Sequence, residues 1–491
     1  MKRRLSRGLA VTLSLLLLLS ACSNNSPVPS DPTPVTDAAP AEENAEAVIA
    51  ETEPDYPPPD VSGLDYNGKP LTFIAPEWNT IRYQYSEDLN GEAVNDAAFN
   101  RRIEVENAIN TKIEWVWSTD AQCHGEVLRT VKAGDDAYQI VYTHCIYGIS
   151  DYATGGALYD LYALPHTDFA APWWSGSMME EFRIGSKLYY AAGDLILQSA
   201  PCTLFNKTIA SDYSLPDHYE LVRNGEWTYD RFLEYASSVS RDVNGDGMID
   251  VHDQTGYTGD LTERSCDIIF FCGEHCTKAT EEGLELVFWS DKVVELFEKT
   301  YAYFMNSDLS NGYFRFYDND QQGFEEGLAL YTLYSVAGIA GLRDYDVDFG
   351  ILPGPKYDEA QEQYVSNPWP CFVCVPITIT DPDLTGAVLE LFCYYSKDLQ
   401  TAFNENLIRG KSTRDEESLE MLDIITEGLT CDIGGSYLGF DSSFHKIYYC
   451  FYELMPNHNE NIASHYESAK KPVIKTLERL YKQILKAEGN D

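Results

Sequence analysis

Positive charge is what this chain has least of. Across 491 residues it carries 35 Lys and Arg against 78 Asp and Glu, a formal net charge of −43. Nucleic acid is excluded as a partner, because no basic stripe is available to displace the counterions of a phosphate backbone. Electrostatic docking on anionic lipid headgroups is disfavoured for the same reason. After the first 21 residues there is no long uninterrupted apolar run, so neither a channel nor a permease is expected. HExxH and GxSxG are both missing, and with them two common signatures of hydrolytic chemistry. No internal repeat is visible.

The first apolar run is therefore informative. A basic stretch, MKRRLSRG, precedes LAVTLSLLLLLS, which is short for a membrane span. Leu19-Ser20-Ala21-Cys22 then resembles a bacterial lipobox. We read residues 1–21 as a signal peptide and Cys22 as the lipidated first residue of the mature chain, its acyl chains the only membrane anchor. Cleavage removes Lys2, Arg3, Arg4 and Arg7 and no acid, so the mature chain is more acidic still. Residues 22–66 are rich in Pro, Ala, Asp and Glu and end near DYPPPD. Such a composition cannot bury enough apolar surface to fold, and a disordered tether is expected.

The 12 cysteines leave an odd number once Cys22 is set aside, so at least one is unpaired. Cys266, Cys272 and Cys276 cluster around His275, and Cys371 and Cys374 form a CxxC. Neither spacing completes a zinc knuckle pair. Buried thiols and one or two disulfides both remain open.

Periodicity gives the fold class. LTFIA (71–75) reads as a buried strand, NDAAFNRRIEVENAINT as a helix, KIEWVW as a strand, HGEVLRTVKAG as a helix and YQIVYT as a strand. That alternation is the pattern of a parallel α/β sheet. KLYYAAGDLIL and CTLFN are expected as further strands. A helical middle follows, including EWTYDRFLEYASSVSRD with Thr228 as its cap, before the strand signals ALYTLYS, VDFGILPGP and CFVCVPITI. Strand signals that return late in the chain fit two α/β lobes joined by crossing segments, with a ligand cleft between them.

After the capped helix comes DVNGDGMIDVHD. Asp242, Asn244 and Asp246 stand at places one, three and five of a calcium loop, and Gly247 at six permits its sharp turn. Met248 offers a carbonyl at seven, Asp250 can act through water, and Asp253 closes the loop at twelve, where aspartate resembles the dockerin version. One loop without a second is expected to hold Ca2+ as a structural clip, not as a sensor.

Taken in order, the lipobox, KLYYAAGD, LFNKTIA, EWTYDRFLEYA, DVNGDGMID, VDFGILPGPK, NPW and VPITITDPDLTGAVLELF resemble the extracellular solute-binding proteins of bacterial ABC importers. The likeness runs from about Lys69 to the C-terminus and is nearest the carbohydrate-binding branch, with its maltose-binding-protein kind of fold. The resemblance implies a two-lobed, type II periplasmic-binding-protein-like α/β fold. It places residues 67–196 plus about 370–430 in an N-terminal lobe and 197–369 plus about 431–491 in a C-terminal lobe. It implies capture of a solute, expected to be a sugar or oligosaccharide, by hinge bending, and delivery to permease subunits with no catalysis. By place in such a fold, Glu77, Trp78 and Asn79 follow the first strand, and His144 and Tyr147 follow YQIVYT. Asp194 and Ser199 lie at the first crossing, Tyr334 and Ser335 end ALYTLYS, and Asn367 and Trp369 lie at the return crossing. These are the candidate ligand contacts, while Trp173 and Trp174 are expected to pack under a loop. A surface glycoside hydrolase, a binder of peptides or polyamines, and an adhesin are the rival readings.

Overall fold

The apolar run 71–75 becomes the buried centre of β1 (Lys69–Pro76) in the computed structural model, which describes residues 56–145, 148–250, 252–259, 261–280, 282–310, 322–408 and 416–487. Further strands among the described residues are β2 (Thr111–Ser118), β3 (Ile140–His144), β4 (Pro201–Asn206), β5 (Thr255–Tyr257), β6 (Thr277–Thr280), β7 (Gly283–Leu286), β8 (Ala329–Ser335), β9 (Phe349–Leu352) and β10 (Cys371–Cys374). One sheet has the order β10-β3-β1-β2 and a second the order β5-β8-β4-β9. The expected parallel pairing holds where strand alternates with helix: β1 lies parallel to both β2 and β3. The late strand β10 joins β3 antiparallel, and the second sheet is mixed, with β4 antiparallel to β8 and β9.

The first sheet is buried on both faces, as its alternation requires. Leu71, Phe73 and Ala75 pack with the helices Ala93–Ile109 and Pro382–Tyr394, while Ile74 and Val141 face Val127 of the helix Asp120–Ala133. Pro382–Tyr394 is buried almost all round, and each large apolar side chain it inserts contributes about 1.5–3 kcal/mol. In the second sheet the helix Tyr229–Val239 turns Phe232, Tyr235 and Ala236 inward, and the Thr228 side chain accepts the Arg231 N–H as the expected cap.

The structure corrects two expectations and decides between the two readings of the cysteines. KLYYAAGDLIL makes isolated bridges, Ala191 with Val373 and Trp174 with Gly193, and no regular strand. A Cβ added at Gly193 would lie 2.4 Å from the Trp173 carbonyl oxygen, so the chain can turn closely there only as glycine. The tether does not run to residue 66. From Tyr56 onward the chain docks: Val61, Leu64 and Tyr66 pack on the first sheet's core, and the Tyr66 hydroxyl donates to Asp383 at 2.6 Å. Of the two readings left open for the cysteines, buried thiols hold: each one after Cys22 is buried and none is in a disulfide. Cys22 and the rest of residues 1–55 lie outside the described residues.

The chain passes from the first sheet to the second ahead of β4 and returns into β10. Gln198 ties these passages together: its Nε2 donates to the Cys371 carbonyl (2.8 Å) and its Oε1 accepts the Cys371 N–H (3.1 Å). A third passage follows the helix Lys397–Ile408, which touches both Ala93–Ile109 and the 3-10 turn Val336–Asp344. From that helix Gln400 Nε2 donates to the carbonyls of Asp194 (2.9 Å) and Ile196 (3.0 Å). The next helix, Glu416–Glu427, packs on β9.

Trp173 and Trp174 pack as expected, and their partner explains why. Glu390, 2% exposed, accepts the Trp173 indole N–H (2.9 Å), the Trp174 indole N–H (3.0 Å) and the Asp168 backbone N–H (3.2 Å). Burial raises the Glu390 pKa above its ordinary 4.5 although these donors oppose the rise. The folded chain therefore holds this proton more tightly than the unfolded chain. The stability involved is complete below about pH 4.5 and is lost as pH climbs through the raised value. Relative to wild type, Glu390→Gln should be most destabilising near about pH 4, with the gap narrowing toward about pH 7. Melting midpoints across that range check this, and a gap independent of pH would contradict it. Gln198→Leu leaves the Cys371 N–H and carbonyl without their partners and should cost about 1–3 kcal/mol in a denaturant titration.

Candidate functional site

Both sheets aim strand ends at the crossings. β3 ends at His144, directly opposite Cys371 where the return crossing enters β10. β8 ends at Ser335, opposite Pro201 where the first crossing enters β4. Segments that follow these ends are the natural place for ligand contacts.

After β1, Glu77 is exposed and Trp78 half-buried, and Asn79 opens the 3-10 turn Asn79–Tyr83. The Trp78 ring meets the His144 ring at 4.2 Å and 63°. His144 is 1% exposed, and burial pushes its pKa down to about 3, against a hydrogen bond with the Trp369 backbone. The imidazole is thus neutral at ordinary pH and forms a wedge that seats Trp78 beside the return crossing. Tyr147 lies outside the described residues.

Trp369 is half-buried and stacks on Tyr449 at 6.5 Å and 21°, and His445 meets Tyr449 edge-on at 5.5 Å. Beside Trp369 is a small cavity of about 20 Å³, lined by Asn367, Phe270, Asp267, Ser436 and Tyr448 among others. The segment from Asp432 to Tyr449 is positioned by the Asp432 carboxylate. It accepts the N–H groups of Cys276 (2.8 Å), Thr277 (2.9 Å) and Gly435 (3.1 Å), the Thr277 hydroxyl (2.5 Å) and the Tyr448 hydroxyl. Tyr449, Ser436 and Asp267 escape sequence reasoning because they come from segments remote from the crossings. The aromatic density of KIYYCFY was the one available signal.

The remaining candidates lie elsewhere around the crossings. Asp194 is half-buried and lines a larger cavity of about 310 Å³ with Trp174, Gln198, Asn404 and Glu427. Ser366 donates to the Pro201 carbonyl and bridges to Leu429 on this cavity's wall, while the next residue, Asn367, faces the small one. The return crossing therefore separates the two cavities. Ser199, Tyr334 and Ser335 are half-buried at the junction, and the Tyr334 ring packs over Gly338. The structure thus brings Trp78, His144, Asn367 and Trp369 together and sets Asp194 on the far side. Among the described residues, the charged side chains lining either cavity are carboxylates, Asp194 and Glu427 in one, Asp267 and Asp432 in the other.

The acidic loop folds as a chain of side-chain turns. The Asp242 carboxylate accepts the N–H groups of Gly245 (2.6 Å) and Gly247 (2.7 Å), Asn244 accepts that of Asp246 (2.9 Å), and Asp246 that of Met248 (2.9 Å). Gly247 has φ +86°, the left-handed conformation the sixth place needs. Asp253 is fully buried and accepts from Val243, Asn244 and Asp250. Asp250 accepts from His252, and the Met248 side chain is exposed. Asp242, Asp246 and Asp253 offer carboxylate oxygens within 4.8 Å of one another, and backbone donors hold the Asp242 carboxyl below its usual range. This set of hard carboxylate oxygens fits a calcium ion. An antiparallel bridge between Arg241 and Gln254 closes the loop's base against β5.

Comparison with protein-family models and with curated proteins finds no match. Solved structures do match. A cyclo/maltodextrin-binding protein complexed with maltotetraose superposes with TM-score 0.53 at 14% identity, covering 86% of this chain and 97% of that one. The galacto-N-biose/lacto-N-biose I-binding protein of a Bifidobacterium longum ABC transporter gives 0.53 at 11%, covering 85% and 98%. The GacH receptor of Streptomyces glaucescens, solved with acarbose, gives 0.51 at 12%, covering 84% and 99%. Such identities speak for architecture alone, and the architecture is clear: this chain has the two-lobed, type II periplasmic-binding-protein fold.

Proposed function

We propose that this protein captures an uncharged sugar or oligosaccharide between its lobes and delivers it, unaltered, to the permease subunits of an ABC importer. The observation that carries this reading is the aromatic lining at the crossings. Trp78 from one lobe and Trp369 with Tyr449 from the other present apolar ring faces within reach of polar side chains, which is what the C–H faces and hydroxyl rims of a sugar require. Lobes joined by crossing segments can close on a guest by hinge bending. The structural neighbours named above were solved with maltotetraose, lacto-N-biose and acarbose, which supports a saccharide here. A cationic guest such as a polyamine is less well served. The two carboxylates nearest Trp369 are 3% and 1% exposed, and both are already engaged with protein partners. In this reading Cys22 carries the acyl chains that hold the protein at the outer face of the membrane. Asp242, Asn244, Asp246, Met248, Asp250 and Asp253 would hold Ca2+ as a clip between the helix Tyr229–Val239 and β5.

A thermal-shift screen of neutral saccharides, uronic acids, amino acids, peptides and spermidine tests the capture reading, since a ligand of the folded form alone raises the midpoint. A neutral saccharide should give a shift of several degrees, and Trp369→Ala should weaken its binding by about tenfold or more. Stabilisation by peptides or spermidine alone, or release of cleaved product, would overturn the reading. Calcium removal is a separate measurement. Excess chelator should lower the melting midpoint of the wild type by several degrees and leave Asp242→Ala, already lowered, unmoved. A wild-type midpoint indifferent to chelator would dismiss the clip.

A further inference from the structure

Two side chains beside Trp369 are buried with an atom that has no hydrogen-bond partner. Asn367 is 9% exposed and its Oδ1 is unpartnered; Ser436 is 1% exposed and its Oγ is unpartnered. Both line the same cavity of about 20 Å³, which has room for one oxygen with its hydrogens. Native folds satisfy nearly all their buried polar atoms, and each one left bare costs about 1–3 kcal/mol. Two bare atoms from segments far apart in sequence, meeting in one cavity next to an aromatic face, call for a guest that supplies their bonds.

We propose that Asn367 and Ser436 form a hydroxyl-receiving subsite beside Trp369, in which one hydroxyl of an uncharged sugar donates to Asn367 Oδ1 and accepts from the Ser436 hydroxyl. This deepens the capture reading and rests on it. A hydroxyl is the group that fits, because it both donates and accepts and so satisfies the pair in either orientation of the amide. A carboxylate or phosphate has no proton for Asn367 Oδ1 and would meet Asp267 and Asp432 with no cation among the lining residues to offset them. An ammonium could donate to both atoms but would leave the Ser436 O–H with nothing to donate to, and the Asp432 oxygens already accept from Cys276, Thr277, Gly435 and Tyr448. Size restricts the subsite to a single hydroxyl or hydroxymethyl oxygen, so it reads one position of a sugar ring and discriminates between epimers there.

The test is calorimetric titration of the purified full chain with maltotetraose, lacto-N-biose and digalacturonate, for wild type, Asn367→Ala and Ser436→Ala. Whichever neutral sugar binds the wild type should bind each variant about 5- to 20-fold more weakly, while digalacturonate should not bind. The melting midpoint of ligand-free Ser436→Ala should equal or exceed that of wild type, because the hydroxyl removed had no partner; a purely structural serine would show the reverse. A monodeoxy analogue lacking the contacting hydroxyl should bind wild type and Ser436→Ala alike. If a neutral sugar binds wild type and both variants equally, the subsite is wrong and capture stands. If digalacturonate binds as well as the neutral sugars, the exclusion of anions is wrong. If neither neutral sugar binds the wild type, it is the capture reading that has failed for these probes, and the subsite assignment falls with it.

Discussion

Two lobes that must move relative to one another cannot share a sheet, so their junction has to be hydrogen-bonded by something other than strand pairing. Here side-chain amides do it. Gln198 copies a backbone partner for Cys371, donating to its carbonyl and accepting its N–H, and Gln400 supplies two donors to the carbonyls of the first crossing. Ser366 adds a third tie, its hydroxyl donating to the Pro201 carbonyl while its own backbone pairs with Gly428 and Thr430. Backbone groups leaving one sheet for another would otherwise be buried bare. The sequence Asn367-Pro368-Trp369-Pro370 reduces the need further, since its two prolines have no N–H to satisfy. Everything proposed for the cleft depends on these ties, because they set where His144, Asn367 and Trp369 stand relative to one another.

Local pattern carried much of the fold and little of the junction. β1, the helix Ala93–Ile109 and β2 follow from apolar spacing within twenty residues, and Thr228 caps its helix through a contact three residues away. KLYYAAGDLIL misled because its apolar density comes from burial under Trp173 and Trp174, not from pairing with a strand. Gln198, Gln400 and Glu390 have no local signature, since their partners are 173, 206 and 222 residues away. Among the cleft candidates, placement after a strand put Trp78 beside the crossings, and placement at the return crossing did so for Trp369. The same rule took His144 for a contact when it is the sealed wedge behind one. Asp194, equally near a crossing, sits in the turn closed by the Ile196 N–H donating to the Gly193 carbonyl, and lines the other cavity.

The acidity of the chain and the acidity of its cavities are separate matters. Net charge is spread over solvated side chains and is screened within about 8 Å at physiological salt. A few buried carboxylates with fixed partners decide what enters a cleft. Asp432 spends its oxygens holding the segment that carries Ser436 and Tyr449, so its presence near the small cavity repels an anion without offering a cation a free ligand. A neutral guest is what that arrangement tolerates.

The return crossing joins these threads. Along Ser366–Cys371, the two end residues hold the junction and residues 367–370 between them line the small cavity. Ser366 bonds to Pro201, Asn367 faces the small cavity, Trp369 presents its ring, the Pro370 carbonyl accepts the Cys145 N–H, and Cys371 pairs with Gln198. In the proposed capture, a solute drawing on Asn367 and Trp369 would act within one or two peptide units of the ties at Ser366 and Cys371, and the lobes would feel occupancy there. The bare atoms at Asn367 and Ser436 set the sign of that coupling. The ligand-free form bears their cost, the occupied form does not, and the difference favours whichever hinge angle lets a hydroxyl reach both.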